Sequence, residues 1–207
     1  MSFDIDISRS RDGAPIRFRC NTGPGVVALL GPSGVGKTTI LNMIAGIVRP
    51  DHGHIRVDGR TLFDSVAGID LPPAARRPGY VFQDRRLFPH RRVRANLTYG
   101  WRAEAGGDVD AVVAILGLGA LLDRWPATLS GGEAQRVAIG RALLSAPHFL
   151  LMDEPLASID TARKGEIMQA IEAIVATVGL PILYVTHDER EAARLSSQVF
   201  MLDPASI

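Results

Sequence analysis

The chain has 207 residues, 46% hydrophobic and 22% charged, the balance of an ordinary globular domain and not of a disordered or fibrous chain. A formal net charge of +1 argues against nucleic acid as a partner. One cysteine, Cys20, excludes an internal disulfide, fits a reducing compartment, and is expected to be a small, partly buried neighbour of Phe18.

The opening stretch "MSFDIDISRSRDG" has acidic residues where a secretory signal needs a basic start and an apolar run. Apolar stretches such as "VVALL" and "FLLM" fall far short of the ~20 residues of a membrane helix. The chain is therefore expected to be soluble, so that any membrane process it serves would need other subunits to cross the bilayer.

"FDIDIS", "PIRFRC" and "GHIRVDG" alternate polar with apolar residues and are separated by turn residues, which predicts a small, mostly antiparallel sheet. "GVVALL" (25–30) reads as a buried strand ending at glycine, and "TTILNMIAG" (38–46) as a helix with Ile40, Leu41 and Ile44 on one face, stopped by Gly46. Between them lies "GPSGVGKTT", residues Gly31, Pro32, Ser33, Gly34, Val35, Gly36, Lys37, Thr38 and Thr39, which fits the P-loop pattern in full. Its glycines let backbone N–H groups curl around phosphates, and the helix N-terminus adds positive potential. Lys37 is placed for the β- and γ-phosphates, and the Thr38 hydroxyl for Mg²⁺.

Further strands are expected at "GYVFQ" (79–83), "HFLLMDE" (148–154), "PILYVTH" (181–187) and "QVFML" (198–202). Several do not alternate, which suits parallel strands covered on both faces. "RKGEIMQAIEAIVATVG" (163–179) has Ile167, Ile171, Ile174, Val175 and Val178 at helical spacing, with Gly179 as the expected C-cap. Residues 84–146 carry no strong strand, and "DVDAVVAILGLGALL" and "GEAQRVAIGRALL" are helical. The expected architecture is α/β: a P-loop NTPase core with a RecA-like, mostly parallel sheet (1–83 and 147–207), an N-terminal antiparallel β subdomain, and an inserted helical subdomain (84–146).

Three of these strand ends carry chemistry. Asp153 is the natural Mg²⁺ partner, directly or through water, and Glu154 can act as general base toward a water. Side chains alternate along a strand, so the two acids can hold different jobs. Gln83 can touch Mg²⁺ or the water as a neutral amide, and His187 can donate to a phosphate oxygen or orient a carboxylate. Taken alone, a terminal glutamine is usually solvated and a lone histidine usually structural; the P-loop gives both their functional reading. In "LSGGE" (129–133), Ser130 and Glu133 form a capping box. That explains neither Gly131 nor Gly132, which weaken a helix first turn. A bare helix start with glycines and a hydroxyl is an anion site, and a second one makes sense if it closes over a nucleotide held by another copy.

The ordered set "GPSGVGKTT", Gln83, "LSGGE", "FLLMDEP", "ASID" and His187 resembles the ATP-binding subunit of ABC transporters over about residues 3–202. The resemblance implies a head-to-tail homodimer trapping two ATP molecules, with Ser130, Gly131 and Gly132 of one copy at the γ-phosphate bound by Gly31–Thr39 of the other. It implies that Ser158 and Asp160 cross the interface, with Ile159 in place of the usual leucine. It also implies that Gln83 senses Mg²⁺ and γ-phosphate while linking the core to the helical subdomain. "LPPAARRPGYVFQDRRLFPHRRVRANLTYG" (71–100) further resembles the ATPase subunits of bacterial molybdate importers. The expected role is ATP hydrolysis driving oxyanion import, with importers of sulfate, phosphate, thiosulfate or ferric iron, or a soluble switch protein, as alternatives. The implied partners are transmembrane permease subunits with a substrate-binding protein, at the cytoplasmic face of the bacterial inner membrane. Arg85, Arg86, Arg91, Arg92 and Arg94 then read as a solvated surface or a docking face for a membrane subunit, not as a nucleic-acid patch.

Two departures stand out. The loop "SRSRDGAP" lacks the aromatic residue that stacks on adenine in most of the family, leaving Arg9 or Arg11 to stack and a weak adenine preference expected. The C-terminal β-domain usual in molybdate-importer ATPases is expected to be absent after "MLDPASI", either because the chain is shortened or because that feedback is lacking.

Overall fold

The computed structural model describes residues 2–10, 15–101, 107–157 and 159–202, with only the backbone of Thr161 and Ala162. In chain order these form β1 (Phe3–Arg9), β2 (Ile16–Asn21), β3 (Val26–Leu30), α1 (Lys37–Ala45), β4 (His52–Val57), β5 (Arg60–Asp64) and β6 (Ile69–Asp70). There follow α2 (Pro73–Arg76), β7 (Pro78–Val81), α3 (Val93–Leu97), α4 (Val109–Ile115) and α5 (Gly131–Leu144). The last elements are β8 (Phe149–Asp153), α6 (Thr161–Thr177), β9 (Ile182–Thr186), α7 (Glu189–Leu195) and β10 (Gln198–Met201).

Two five-stranded sheets result, an antiparallel one ordered β2-β1-β4-β5-β6 and a parallel one ordered β10-β3-β9-β8-β7. Every residue of β3, β8 and β9 is buried, because the parallel sheet is covered on both faces. Successive residues enter different cores. Phe149, Leu151, Leu183 and Val185 join Ile40, Leu41 and Ile44 of α1 and Ile5 and Ile7 of β1, so α1 lies between the two sheets. Leu150, Met152, Ile182 and Tyr184 join Ile167, Ile171 and Ile174 of α6 and Val137 and Ile139 of α5. Between β7 and β8 the described residues are helices and turns.

The glycine at 46 and an arginine hold the far end of α1. Gly46 is left-handed at φ 81°, and a Cβ there would lie 2.7 Å from Arg76 Nε. The fully buried Arg76 donates from Nη1 to the carbonyls of Met43 (2.8 Å) and Ile44 (3.0 Å), from Nε to Leu71 (2.6 Å), and from Nη2 to Asp70 Oδ1 (2.9 Å). A cation thus sits against carbonyls of the last turn of the helix, where the macrodipole favours it.

Four expectations need correction. Cys20 is buried outright, facing the core from β2, and burial pushes its thiol up to about 12. The strand expected through Gln83 stops at Val81, because Asp84–Arg86 turn sharply, with Arg85 at φ 62° and Arg86 at φ 47°. The C-cap of α6 is Val178, at φ −93°, and not Gly179. "RTLFD" is a strand that the alternation did not single out.

Candidate active site

Parallel strands carry their functional side chains at one end, where the carboxyl-terminal turns gather. With the order β3-β9-β8-β7, the P-loop, His187, Asp153 with Glu154, and Gln83 are set side by side along one edge of the sheet. Ser33, Gly34, Gly36, Lys37, Thr38, Thr39, Gln83 and Glu154 line one cavity of about 360 Å³. Gly36 must be glycine: its φ is 112°, and a Cβ would lie 3.0 Å from Ile16 Cδ1, which packs on the loop from β2. Val35 is buried beneath the loop, and the Pro32 carbonyl accepts its N–H at 3.4 Å.

Lys37 is only 4% exposed, and its ammonium donates to the carbonyls of Gly31 (2.8 Å) and Pro32 (3.0 Å). It also lies 3.1 Å from Glu154 Oε1. Glu154 stands just past β8 at φ 43°, a backbone region uncommon for a residue with a side chain. Its own N–H donates to Val185 on β9 at 3.0 Å, which holds that conformation. Its second oxygen lies 3.0 Å from Nδ1 of the half-exposed His187. An ionised carboxylate only accepts, so this contact requires the proton on Nδ1.

Asp153 faces the other way, into a cavity of about 490 Å³ shared with Thr38, Gln83, Asn42 and Arg86. It is hydrogen-bonded to Thr38, yet its Oδ1 is buried with no hydrogen-bond partner. Burial pushes its carboxyl above the ordinary aspartate range. Among the described residues no three His, Cys, Asp or Glu side chains cluster as a metal cage. One orphaned carboxylate oxygen beside a threonine hydroxyl and a glutamine amide instead suits Mg²⁺, which keeps waters and takes further ligands from substrate phosphates.

The second glycine-rich helix start lies apart. Ser130 caps α5 in a complete capping box: its Oγ accepts from the Glu133 N–H (3.3 Å) and its N–H donates to Glu133 Oε2 (2.7 Å). Ser130 and Gly132 line a different cavity, of about 240 Å³, with Glu133, Arg136, Arg163 and Glu166. Gly131 opens the same helix. Within one chain these residues therefore do not share the cavity of Lys37. Asp160 caps α6, its side chain accepting the Arg163 N–H at 3.1 Å, and Ser158 lies outside the described residues. Of the two arginines considered for the base, Arg9 donates to the Arg49 carbonyl and Arg11 lies outside the described residues.

Two residues here were not singled out from sequence. Arg141 of α5 donates to the carbonyls of Arg86 (2.7 Å) and Arg85 (3.1 Å), fixing the left-handed turn that follows Gln83. Glu191 is buried and accepts a hydrogen bond from Thr186, the residue before His187. Both sit in charged stretches that read as solvated helix surface, and no local pattern marks them.

The family model described as ABC transporter matches residues 14–157. Relatives include the molybdenum import ATP-binding protein ModC of Paramagnetospirillum magneticum, 53% identical over 99% of this chain and 57% of that protein. The ModC of Mesorhizobium japonicum is 54% identical over 98% of this chain and 56% of that protein. The chain thus spans little more than half the length of these relatives. Among solved structures, a dimeric post-hydrolysis state of the ATP-binding cassette MJ0796 bound to ADP and Pi superposes with a TM-score of 0.73. It is 25% identical, covering 98% of this chain and 94% of that one.

Proposed function

The chain belongs to the ABC transporter family, and from that premise we propose that it is the ATP-hydrolysing subunit of a molybdate importer. The observation that carries the chemistry is the Glu154 carboxylate, held between Lys37 of the P-loop and His187 at the rim of the P-loop cavity. The near-complete coverage by relatives named for molybdenum import supports the substrate.

In this reading the backbone N–H groups of Gly31–Thr39 and the N-terminus of α1 cradle the phosphates of ATP. Phosphate oxygens compete for the Lys37 ammonium, and its transfer to them frees Glu154 Oε1 to accept a hydrogen bond from water. That water attacks the γ-phosphorus, the bond to the bridging oxygen breaks toward ADP, and the water's proton passes to Glu154 or directly to phosphate. His187 keeps Glu154 aimed through Oε2. Thr38 and Asp153 would hold Mg²⁺, with Gln83 beside them. Bound there, the ion would neutralise charge developing on the phosphate oxygens.

Because the two glycine-rich helix starts line separate cavities, the site is completed by a second copy. Ser130, Gly131 and Gly132 of one subunit close on the phosphates at the other's P-loop, with Ser158 and Asp160 between the two sites. Residues 84–146 would act as the helical subdomain, and the permease subunits with their binding protein would hold the dimer at the inner face of the membrane. No helix among the described residues is long and apolar enough to span it.

The test is elemental. The gene is deleted in its source organism, cells are grown on limiting molybdate with any second importer also deleted, and cellular molybdenum is measured by mass spectrometry. Molybdenum should collapse and return with the wild-type gene but not with Glu154→Gln. Unchanged molybdenum would overturn the substrate.

A further inference from the structure

A buried ionisable side chain next to the site has no part in the mechanism above. Glu191 on α7 is 7% exposed, and its Oε2 accepts from Tyr184 OH at 2.9 Å and from Thr186 Oγ1 at 2.7 Å. Its Oε1 lies 3.6 Å from Lys164 Nζ on α6. Thr186 Oγ1, having donated to Glu191, accepts from the Asp188 backbone N–H at 3.0 Å. His187 stands between Thr186 and Asp188. A single hydroxyl, aimed by Glu191, therefore locks both peptide neighbours of a half-exposed imidazole whose ring is hydrogen-bonded to Glu154.

Attachment of α7 does not require this carboxylate. Ala192 and Leu195 are buried, and Arg194 binds Glu172 of α6 with both a 2.5 Å and a 2.9 Å hydrogen bond. A carboxylate carries a desolvation cost in such a place unless its partners are specific, and its shortest hydrogen bond is to Thr186, the residue that opens the His187 turn. Resting on the role proposed above for His187, we propose that Glu191 is a positioning residue for it: Glu191 orders the Thr186–Asp188 turn and, through Lys164, ties that turn to α6, the helix that Asp160 caps.

The test compares Thr186→Val, which removes the hydroxyl at constant volume, Glu191→Leu, which removes the acceptor, and Glu191→Gln, which keeps an oxygen for both hydroxyls. Each is made in the whole chain with His187 and with His187→Ala. Thr186→Val and Glu191→Leu should lower kcat on the order of 10- to 100-fold, as misplacing a catalytic group by about an ångström does. KM for Mg-ATP should stay within about twofold, since phosphate binding is untouched. Glu191→Gln should keep most of the activity, and neither damaging change should lower kcat any further once His187 is alanine. In the protein without nucleotide, the nitrogen-15 signals of the His187 ring should report one tautomer, protonated on Nδ1, and become averaged in Thr186→Val.

Equal losses with and without His187, or wild-type kcat and ring signals in Thr186→Val, would overturn the proposal. If His187→Ala hydrolyses ATP as fast as wild type, the role given to His187 fails, and the ring signals alone decide whether Glu191 orders it. If Glu191→Leu does not fold, Thr186→Val carries the same comparison.

Discussion

The Lys37 ammonium lies 3.1 Å from Glu154 Oε1, joining the P-loop to the turn after β8 across the intervening strand β9. With the second oxygen of Glu154 on His187 Nδ1 at 3.0 Å, two partners from different parts of the fold share one carboxylate. Each partner then has a defined consequence when changed.

Replacing Glu154 by Gln keeps the shape and removes both the general base and the charge facing Lys37. Steady-state hydrolysis should fall by about 10²- to 10⁴-fold. ATP affinity by equilibrium dialysis should hold or tighten, because Lys37 no longer has a carboxylate competing with phosphate. A loss of affinity as large as the loss of rate would contradict the separation of roles.

Asp153 carries a buried oxygen without a donor, which is a cost to folding. Asp153→Asn should therefore raise the melting temperature measured in chelator. The same variant should lose the further stabilisation that Mg-ATP gives wild type, because the oxygen left without a partner is the one proposed for the ion. Scanning calorimetry with and without Mg-ATP reads both effects.

Arg76→Leu would take a buried donor from the carbonyls of Met43 and Ile44 at the end of α1 and of Leu71 beside it, with an expected loss of about 3 kcal/mol in urea unfolding. Gly46→Ala should cost more than about 1 kcal/mol, since its φ of 81° is left-handed and the Cβ would strike Arg76. Both should also weaken ATP binding, because α1 carries the P-loop at its other end.

The capping box predicts a pH dependence. The Ser130 N–H, with Arg124 and Arg136 nearby, holds the Glu133 carboxyl below its ordinary 4.5. A depressed value in the folded state means stability that is present above 4.5 and lost as pH falls through the folded value. Glu133→Gln should thus be less stable than wild type at pH 7 by a few tenths to about 1 kcal/mol. Urea titrations on either side of 4.5 should show the gap closing in acid.

The central strands were legible because burial on both faces leaves unbroken apolar runs in β3, β8 and β9, and glycines mark both ends of α1. β5 was not, although its signal was present: Asp58-Gly59 sits before it with φ 49° and 75°, the two-residue turn of a hairpin. The P-loop, Asp153, Glu154 and His187 were legible as strand ends, and the strand order then explains why they meet. Gln83 fell in a turn because Arg141, 55 residues from Arg86 in sequence, fixes the backbone there. Arg76 and Glu191 were hidden for one reason. Charge in a helical stretch reads as surface, and only the packed structure shows a charge turned inward with every partner supplied by another element.

The most direct test of the composite site is the mass of Glu154→Gln by light scattering, alone and with Gly132→Asp, at saturating Mg-ATP. A Cβ at Gly132 meets Ile167 Cδ1 at 3.4 Å, an ordinary contact, and an acid in the first turn of α5 suits the helix dipole, so the change is aimed at phosphate and not at the fold. The account predicts that Glu154→Gln doubles from 22.3 kDa and that the double variant binds ATP but stays single. Glu154→Gln remaining at 22.3 kDa with nucleotide bound, or the double variant pairing equally well, would contradict it.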